Sequence, residues 1–106
     1  MGEVTWAMWN CSGILPSSSA QTKMDFLNTC NETKPDIIVL IETHHKALGE
    51  ISSLLHTYTN SSQVIQTEAT EGDPYAGIAV LINRKFTLLE HTTLIQGRLL
   101  NFKVQC

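Results

Sequence analysis

Two polar residues that end apolar stretches set the chemistry this sequence can offer. Glu42 closes the run Ile37-Ile38-Val39-Leu40-Ile41, and Asn10 closes a stretch holding Val4, Trp6, Met8 and Trp9. A carboxylate at the end of a buried strand is costly unless something positive meets it. The C-terminal edge of a sheet is also where ligands and metals gather. Mg²⁺ is typically held by one or two carboxylates together with waters and substrate phosphate oxygens. Glu42 is therefore a candidate ligand for a hard cation, and Asn10 a candidate neighbour that shares the ion or orients the carboxylate. Each residue taken alone also has a plainer reading. Glu42 fits a solvated strand end or a cap, and Asn10 before Cys11-Ser12-Gly13 fits ordinary turn chemistry.

Other residues able to do chemistry offer less. His44 and His45 are adjacent, so on an extended chain they point in opposite directions and make a poor chelate; both are expected at the surface. Without clustered cysteines a zinc site is not expected. Ser17-Ser18-Ser19 has no flanking glycines of a nucleophile elbow and reads as helix capping. Gly72, Gly77 and Gly97 are isolated and form no phosphate-cradling loop. Arg98 fits either a phosphate contact or a salt bridge at a sheet edge. Trp6, Trp9 and Tyr75 are expected as core or rim packing.

The elements that must position Asn10 and Glu42 follow from the hydrophobic pattern. Residues 3–10 alternate but are apolar on both faces, which predicts a central strand. Ser18 or Ser19 can cap a helix over 19–31, with Met24, Leu27 and Cys30 on one face. Lys34-Pro35-Asp36 turns the chain into the apolar strand 37–41, because the residue before proline avoids the helical region. Strand, helix, strand over this distance predicts a crossover unit with parallel strands. Neighbouring strands lie about 4.8 Å apart, so the side chains at their C-terminal ends can meet. A short helix is expected near 47–56, and the polar stretch 57–68 reads as an exposed edge strand or loop. Glu71-Gly72-Asp73-Pro74 is a turn. Residues 75–83 form a third strong strand, Asn83-Arg84-Lys85 turns, and 86–91 pairs back on it. Gly97 opens a last strand over 98–104. The whole reads as α/β: a mixed sheet with a βαβ unit followed by antiparallel hairpins.

Composition narrows the classes. With 106 residues, 42% hydrophobic and 16% charged, the chain is one ordinary globular domain. Its net charge is −3, and its seven Lys and Arg residues are scattered. A protein that grips nucleic acid unaided usually carries a basic patch, so this chain alone is expected to bind DNA weakly. No apolar run approaches a membrane span, and no basic segment leads into an apolar one as in a secretory signal. Three cysteines, Cys11, Cys30 and Cys106, with no CxxC pair fit free thiols in a reducing compartment, nuclear or cytoplasmic.

Four segments together resemble the endonuclease/exonuclease/phosphatase superfamily. Trp9-Asn10-Cys11-Ser12-Gly13 resembles its opening WNxxG strand, and Asp36 to His44 resembles its second strand, DIIxLQETH. Tyr75 to Ile82 resembles its GxAGVAIL strand, and Gly97-Arg98-Leu99-Leu100 resembles the next one. The match is nearest to the endonucleases of non-long-terminal-repeat retrotransposons, with apurinic-site endonucleases as close relatives. The resemblance implies a four-layer α/β-sandwich and Mg²⁺-dependent hydrolysis of DNA phosphodiesters, with Mn²⁺ as a substitute ion. It makes Asn10 and Glu42 the catalytic metal-site pair. It makes Thr43, Tyr75 and Arg98 DNA-side contacts.

Two departures qualify it. Ile41 stands where the family commonly has glutamine. The family domain is also about twice as long, and its later Asp-x-Asn and Ser-Asp-His motifs do not occur in these 106 residues. Residues 1–106 are therefore expected to be the N-terminal half of such a domain, a truncated and incompletely catalytic portion. A non-catalytic module that forms a homodimer or pairs with a complementing half-domain is the main alternative. A portion of another superfamily phosphodiesterase, such as an RNA deadenylase or a phosphoinositide phosphatase, is the other.

Overall fold

A computed structural model of the chain describes residues 4–13, 20–47 and 61–105. Its elements run β1 (Trp6–Asn10), α1 (Ala20–Thr33), β2 (Ile37–Ile41), β3 (Ser61–Thr67), β4 (Ile78–Asn83), β5 (Thr87–Ile95) and β6 (Leu99–Gln105). Four strands form one sheet in the order β1-β2-β4-β3, and β5 and β6 form a second, two-stranded sheet. The fold is thus mixed α/β, dominated by strands. Among the described residues no helix is long and apolar enough to cross a membrane.

β2 and β4 form the centre because both faces of each are apolar. Ile37, Ile38, Leu40 and Ala79 to Ile82 are all buried. Side chains alternate across the sheet, and the core divides accordingly. On one face Ile38, Leu40, Ala79 and Leu81 pack with Cys11 and with Cys30 and Phe26 of α1. On the other, Ile37, Ile65, Ile78, Val80 and Ile82 pack with Phe86 and with Leu88, Leu100, Phe102 and Val104 of the β5–β6 hairpin. The four-stranded sheet therefore lies between a helix and a hairpin.

The expected strand-helix-strand unit is present. β1 and β2 are parallel, with Trp6 opposite Ile37 and Asn10 opposite Ile41. Trp9 stacks on Phe26 with ring centroids 4.5 Å apart, which ties β1 to the helix. α1 ends where Lys34 turns left-handed (φ 49°). Its N–H donates to the Cys30 carbonyl at 2.8 Å, an αL cap before Pro35.

Three expectations need correction. Among the described strands β1 lies at the edge of the sheet, not at its centre, and it starts at Trp6. Trp6 (59% exposed) and Met8 (69%) face the hairpin side, where the Trp6 ring meets Phe102 with centroids 6.2 Å apart, yet both stay largely exposed. The segment after β4 does not pair back on it. β4 already has β2 on one edge and β3 on the other, so β5 leaves after the Asn83–Phe86 turn and pairs with β6. Of the stretch read as an exposed edge strand or loop, residues 61–67 form β3 at the sheet edge, as one of those readings has it, but Ile65 and Thr67 are buried. The helix expected near 47–56 and the serine caps of α1 fall outside the described residues.

Candidate functional site

The C-terminal ends of β1 and β2 lie side by side. The chain leaving β1 follows β2 past its end: Cys11 N–H donates to the Ile41 carbonyl at 2.9 Å, and Gly13 N–H to the Glu42 carbonyl at 2.8 Å. Left-handed backbone at Ser12 (φ 46°) and at Gly13 (φ 95°) makes that path possible. Asn10, opposite Ile41 in a parallel register, projects to the same face as Ile41. Its Oδ1 accepts from Ser12 N–H at 3.2 Å and from the Ser12 hydroxyl at 3.3 Å. This is an Asx turn, so the plainer reading of Asn10 is realised in its hydrogen bonds, and Asn10 is not among the residues that line the recess in front of Glu42.

Beyond β2 the chain alternates. Glu42 and His44 are half-buried, whereas Thr43 and His45 are fully buried. Glu42 (φ 53°) and His44 (φ 62°) are both left-handed, a conformation disfavoured for residues with a Cβ. Thr43 N–H donates to the Gly77 carbonyl at 3.2 Å and His44 N–H to that of Ala76 at 2.8 Å, so the β2–β4 ladder continues into this strained segment. Gly77 is required there. Its φ is 118°, and a Cβ would overlap the Thr43 hydroxyl.

Glu42 opens onto a recess of about 190 Å³ that it shares with Ile41, Ile78, Gly97 and Arg98. Among the described residues its carboxylate makes no hydrogen bond and no ion pair. Its charge is nonetheless felt. Burial chiefly, and Glu42 secondarily, push the Cys11 thiol up to about 12. Arg98 faces the recess while forked to Asp73, Nε to Oδ2 at 2.8 Å and Nη2 to Oδ1 at 2.7 Å. That fork raises the Arg98 pKa, with a smaller contribution from Glu42. The sheet-edge salt bridge weighed for Arg98 is formed, and the residue still lines the recess.

Thr43 is placed differently from the expectation. Its hydroxyl is enclosed and bonds His45 Nδ1, so it is not a surface for DNA. Tyr75 is exposed, its ring edge-on to His44 with centroids 5.3 Å apart. The expectation of two surface histidines fails for His45. Its Nε2 meets Gln66 Oε1 at 2.7 Å, and Gln66 Nε2 donates to Glu68 Oε1 at 2.7 Å. Nothing in the local sequence signals this, because the partners come from β3, 21 residues on.

Among the described residues no three His, Cys, Asp or Glu side chains gather as a metal cage. One accessible carboxylate does not suit zinc, which takes three or four protein ligands. It is compatible with Mg²⁺, which keeps waters and accepts phosphate oxygens. A larger recess of about 260 Å³ lies on the β5–β6 hairpin. Its charged groups Glu90 and Lys103 pair with each other at 3.3 Å, and it holds no uncommitted carboxylate. No known family model matches the chain, and no curated protein is significantly similar to it.

Proposed function

We propose that residues 1–106 form the Asn10–Glu42 half of a Mg²⁺-dependent phosphodiesterase site of the endonuclease/exonuclease/phosphatase type, acting on DNA, within a four-layer sandwich whose other half lies elsewhere. The observation that carries this reading is the uncommitted, half-buried Glu42 carboxylate at the end of a central strand, facing a recess that also presents Arg98. Glu42 would hold the cation, with Asn10 beside it. Arg98 would meet a phosphate oxygen with its guanidinium edge. The ion, when bound, supplies charge neutralisation and polarisation of the phosphoryl group. Hydrolysis also needs a base within hydrogen-bond reach of the attacking water, and the described residues lining the recess include no histidine. The chain by itself is therefore expected to bind the cation and to nick DNA poorly.

The test is line broadening by Mn²⁺ in the amide spectrum, beside a plasmid-nicking assay with Mg²⁺. Broadening should centre on Glu42 and vanish in Glu42→Ala. Broadening that persists unchanged in that variant would overturn the site. Robust nicking by wild type, lost in Glu42→Ala, would overturn the expectation of weak activity.

The exposure of Trp6 and Met8 on edge strand β1 favours a second reading, a non-catalytic module that pairs through that edge with a second copy or a complementing half-domain. Sedimentation decides it, since a clean monomer at tens of micromolar removes the self-pairing form.

A further inference from the structure

The proposed site has two charged groups, Glu42 and Arg98, 56 positions apart in the chain. A continuous polar run joins the segments that carry them. Thr43 Oγ1 bonds His45 Nδ1, and His45 Nε2 meets Gln66 Oε1 at 2.7 Å. Gln66 Nε2 donates to Glu68 Oε1 at 2.7 Å, and Gln96 Nε2 donates to Glu68 Oε2 at 3.0 Å. A backbone path runs alongside. Gly77 N–H donates to the Gly97 carbonyl at 2.9 Å, and Gly97 N–H to Thr67 Oγ1 at 2.8 Å. A Cβ at Gly97 would lie 2.8 Å from the Glu68 carbonyl, so the two paths are packed against each other.

The chemistry of the run has a direction. A carboxylate without a proton only accepts, so Glu68 fixes Gln66 with its NH₂ outward and its oxygen toward His45. Nε2 of His45 must then carry a hydrogen, and Nδ1 is left to accept from the Thr43 hydroxyl. The opposite tautomer would set a nitrogen lone pair against the amide oxygen.

We infer that the run Thr43–His45–Gln66–Glu68–Gln96, buried at its Thr43–His45 end and exposed at Gln96, is a positioning device that holds Glu42 and Arg98 in one fixed relation, with His45 locked as the Nε2–H tautomer. Outer partners that orient a ligand commonly matter about 10–100-fold to metal affinity. None of the five residues touches the recess itself, so each acts through the strained segment 42–45 or the turn 96–98. The inference rests on reading the recess as a cation and phosphate site.

The experiment uses the full ¹⁵N-labelled chain. It reads the His45 ring nitrogens by long-range correlation, Mn²⁺ affinity by broadening at Glu42, and the urea midpoint separately. Wild type should show the Nε2–H tautomer. Thr43→Val, isosteric but without the hydroxyl, should weaken Mn²⁺ about tenfold in protein that remains folded, and Thr43→Ser should restore it. Gln96→Ala, at the exposed end, should weaken it in the same direction without threatening the fold. An Nδ1–H tautomer in wild type, or unchanged affinity in both Thr43→Val and Gln96→Ala, overturns the proposal. If wild type shows no Mn²⁺ broadening, the metal reading fails, and the positioning device is judged by the Glu42 amide in Gln96→Ala. A shift there supports the device, and its absence overturns it.

Discussion

Asp36 and Glu42 flank the same strand, β2, one on each side, and the chain treats the two carboxylates in opposite ways. Asp36 is saturated. Its Oδ2 accepts from Thr5 N–H at 2.9 Å and from the Thr5 hydroxyl at 3.3 Å, while Oδ1 pairs with Lys85 Nζ at 2.9 Å. Its backbone joins in, since Asn83 N–H donates to its carbonyl at 2.8 Å. One residue thus fastens β1, β2 and the turn after β4. Glu42 holds the chain after β1 only through its backbone carbonyl, which accepts from Gly13 N–H at 2.8 Å; its side chain fastens nothing among the described residues, sits on left-handed backbone and faces a recess. A buried or half-buried charge that is satisfied reads as structure, whereas one left unpaired on strained backbone is a candidate for function.

A rigid Glu42 end is what sets it apart from an ordinary exposed carboxylate. Gly77 tests that. Its φ of 118° and its contact with the Thr43 hydroxyl leave no room for a methyl group. Overpacking and backbone strain together put Gly77→Ala at about 3 kcal/mol destabilising. A urea midpoint close to wild type would mean that the 42–45 segment yields easily and cannot hold Glu42 in place. Next in size, Asp36→Asn should cost about 2 kcal/mol, since it removes charge-assisted bonds at a buried site. A loss below about 0.5 kcal/mol would place Asp36 among ordinary surface residues and dissolve the contrast.

The two ends of β2 were unequally legible. The apolar run 37–41 and the carboxylates flanking it follow from composition alone, because a strand buried on both faces tolerates no polar side chain. The parallel pairing with β1 followed from the length of the intervening helix. The edge position of β1 did not, because Trp6 and Met8 look the same in sequence whether or not a neighbour covers them. The partner of β5 is hidden in the sequence for a related reason. Local pattern predicts a hairpin, but β4 had already given both edges to β2 and β3. At the site, Glu42, Asn10 and Arg98 could be named from their places at strand ends. His45 could not, because its burial depends on Gln66 and Glu68, which only the β3–β4 pairing brings near.

Acid sharpens the contrast at the Asp36 end. The Lys85 and Thr5 hydrogen bonds hold the Asp36 carboxyl below the ordinary aspartate range, against the opposing effect of burial. A depressed folded pKa contributes stability that is present above the unfolded value, about 3.9, and is lost as pH falls through the folded one. The wild-type urea midpoint should therefore decline as pH drops below about 4. Asp36→Asn should flatten that decline, although Glu68 and Asp73, also held low by hydrogen bonds, keep part of it. Identical acid profiles for wild type and variant would show that the Asp36 pairings contribute nothing net.

The smallest stability effect carries the most meaning for function. Glu42→Gln keeps size and shape and removes the charge. Because the carboxylate has no hydrogen-bond or ion-pair partner among the described residues, only its through-space effects on Arg98 and Cys11 are lost, and the expected change lies within about 0.5 kcal/mol. The same substitution should abolish Mn²⁺ broadening at the recess, because a neutral amide is a poor ligand for a hard cation. Stability and binding then separate at Glu42, whereas at Asp36 stability alone should move. A Glu42→Gln variant as destabilised as Asp36→Asn would make the two carboxylates equivalent structural anchors. The unpaired charge would then lose its claim to be a site.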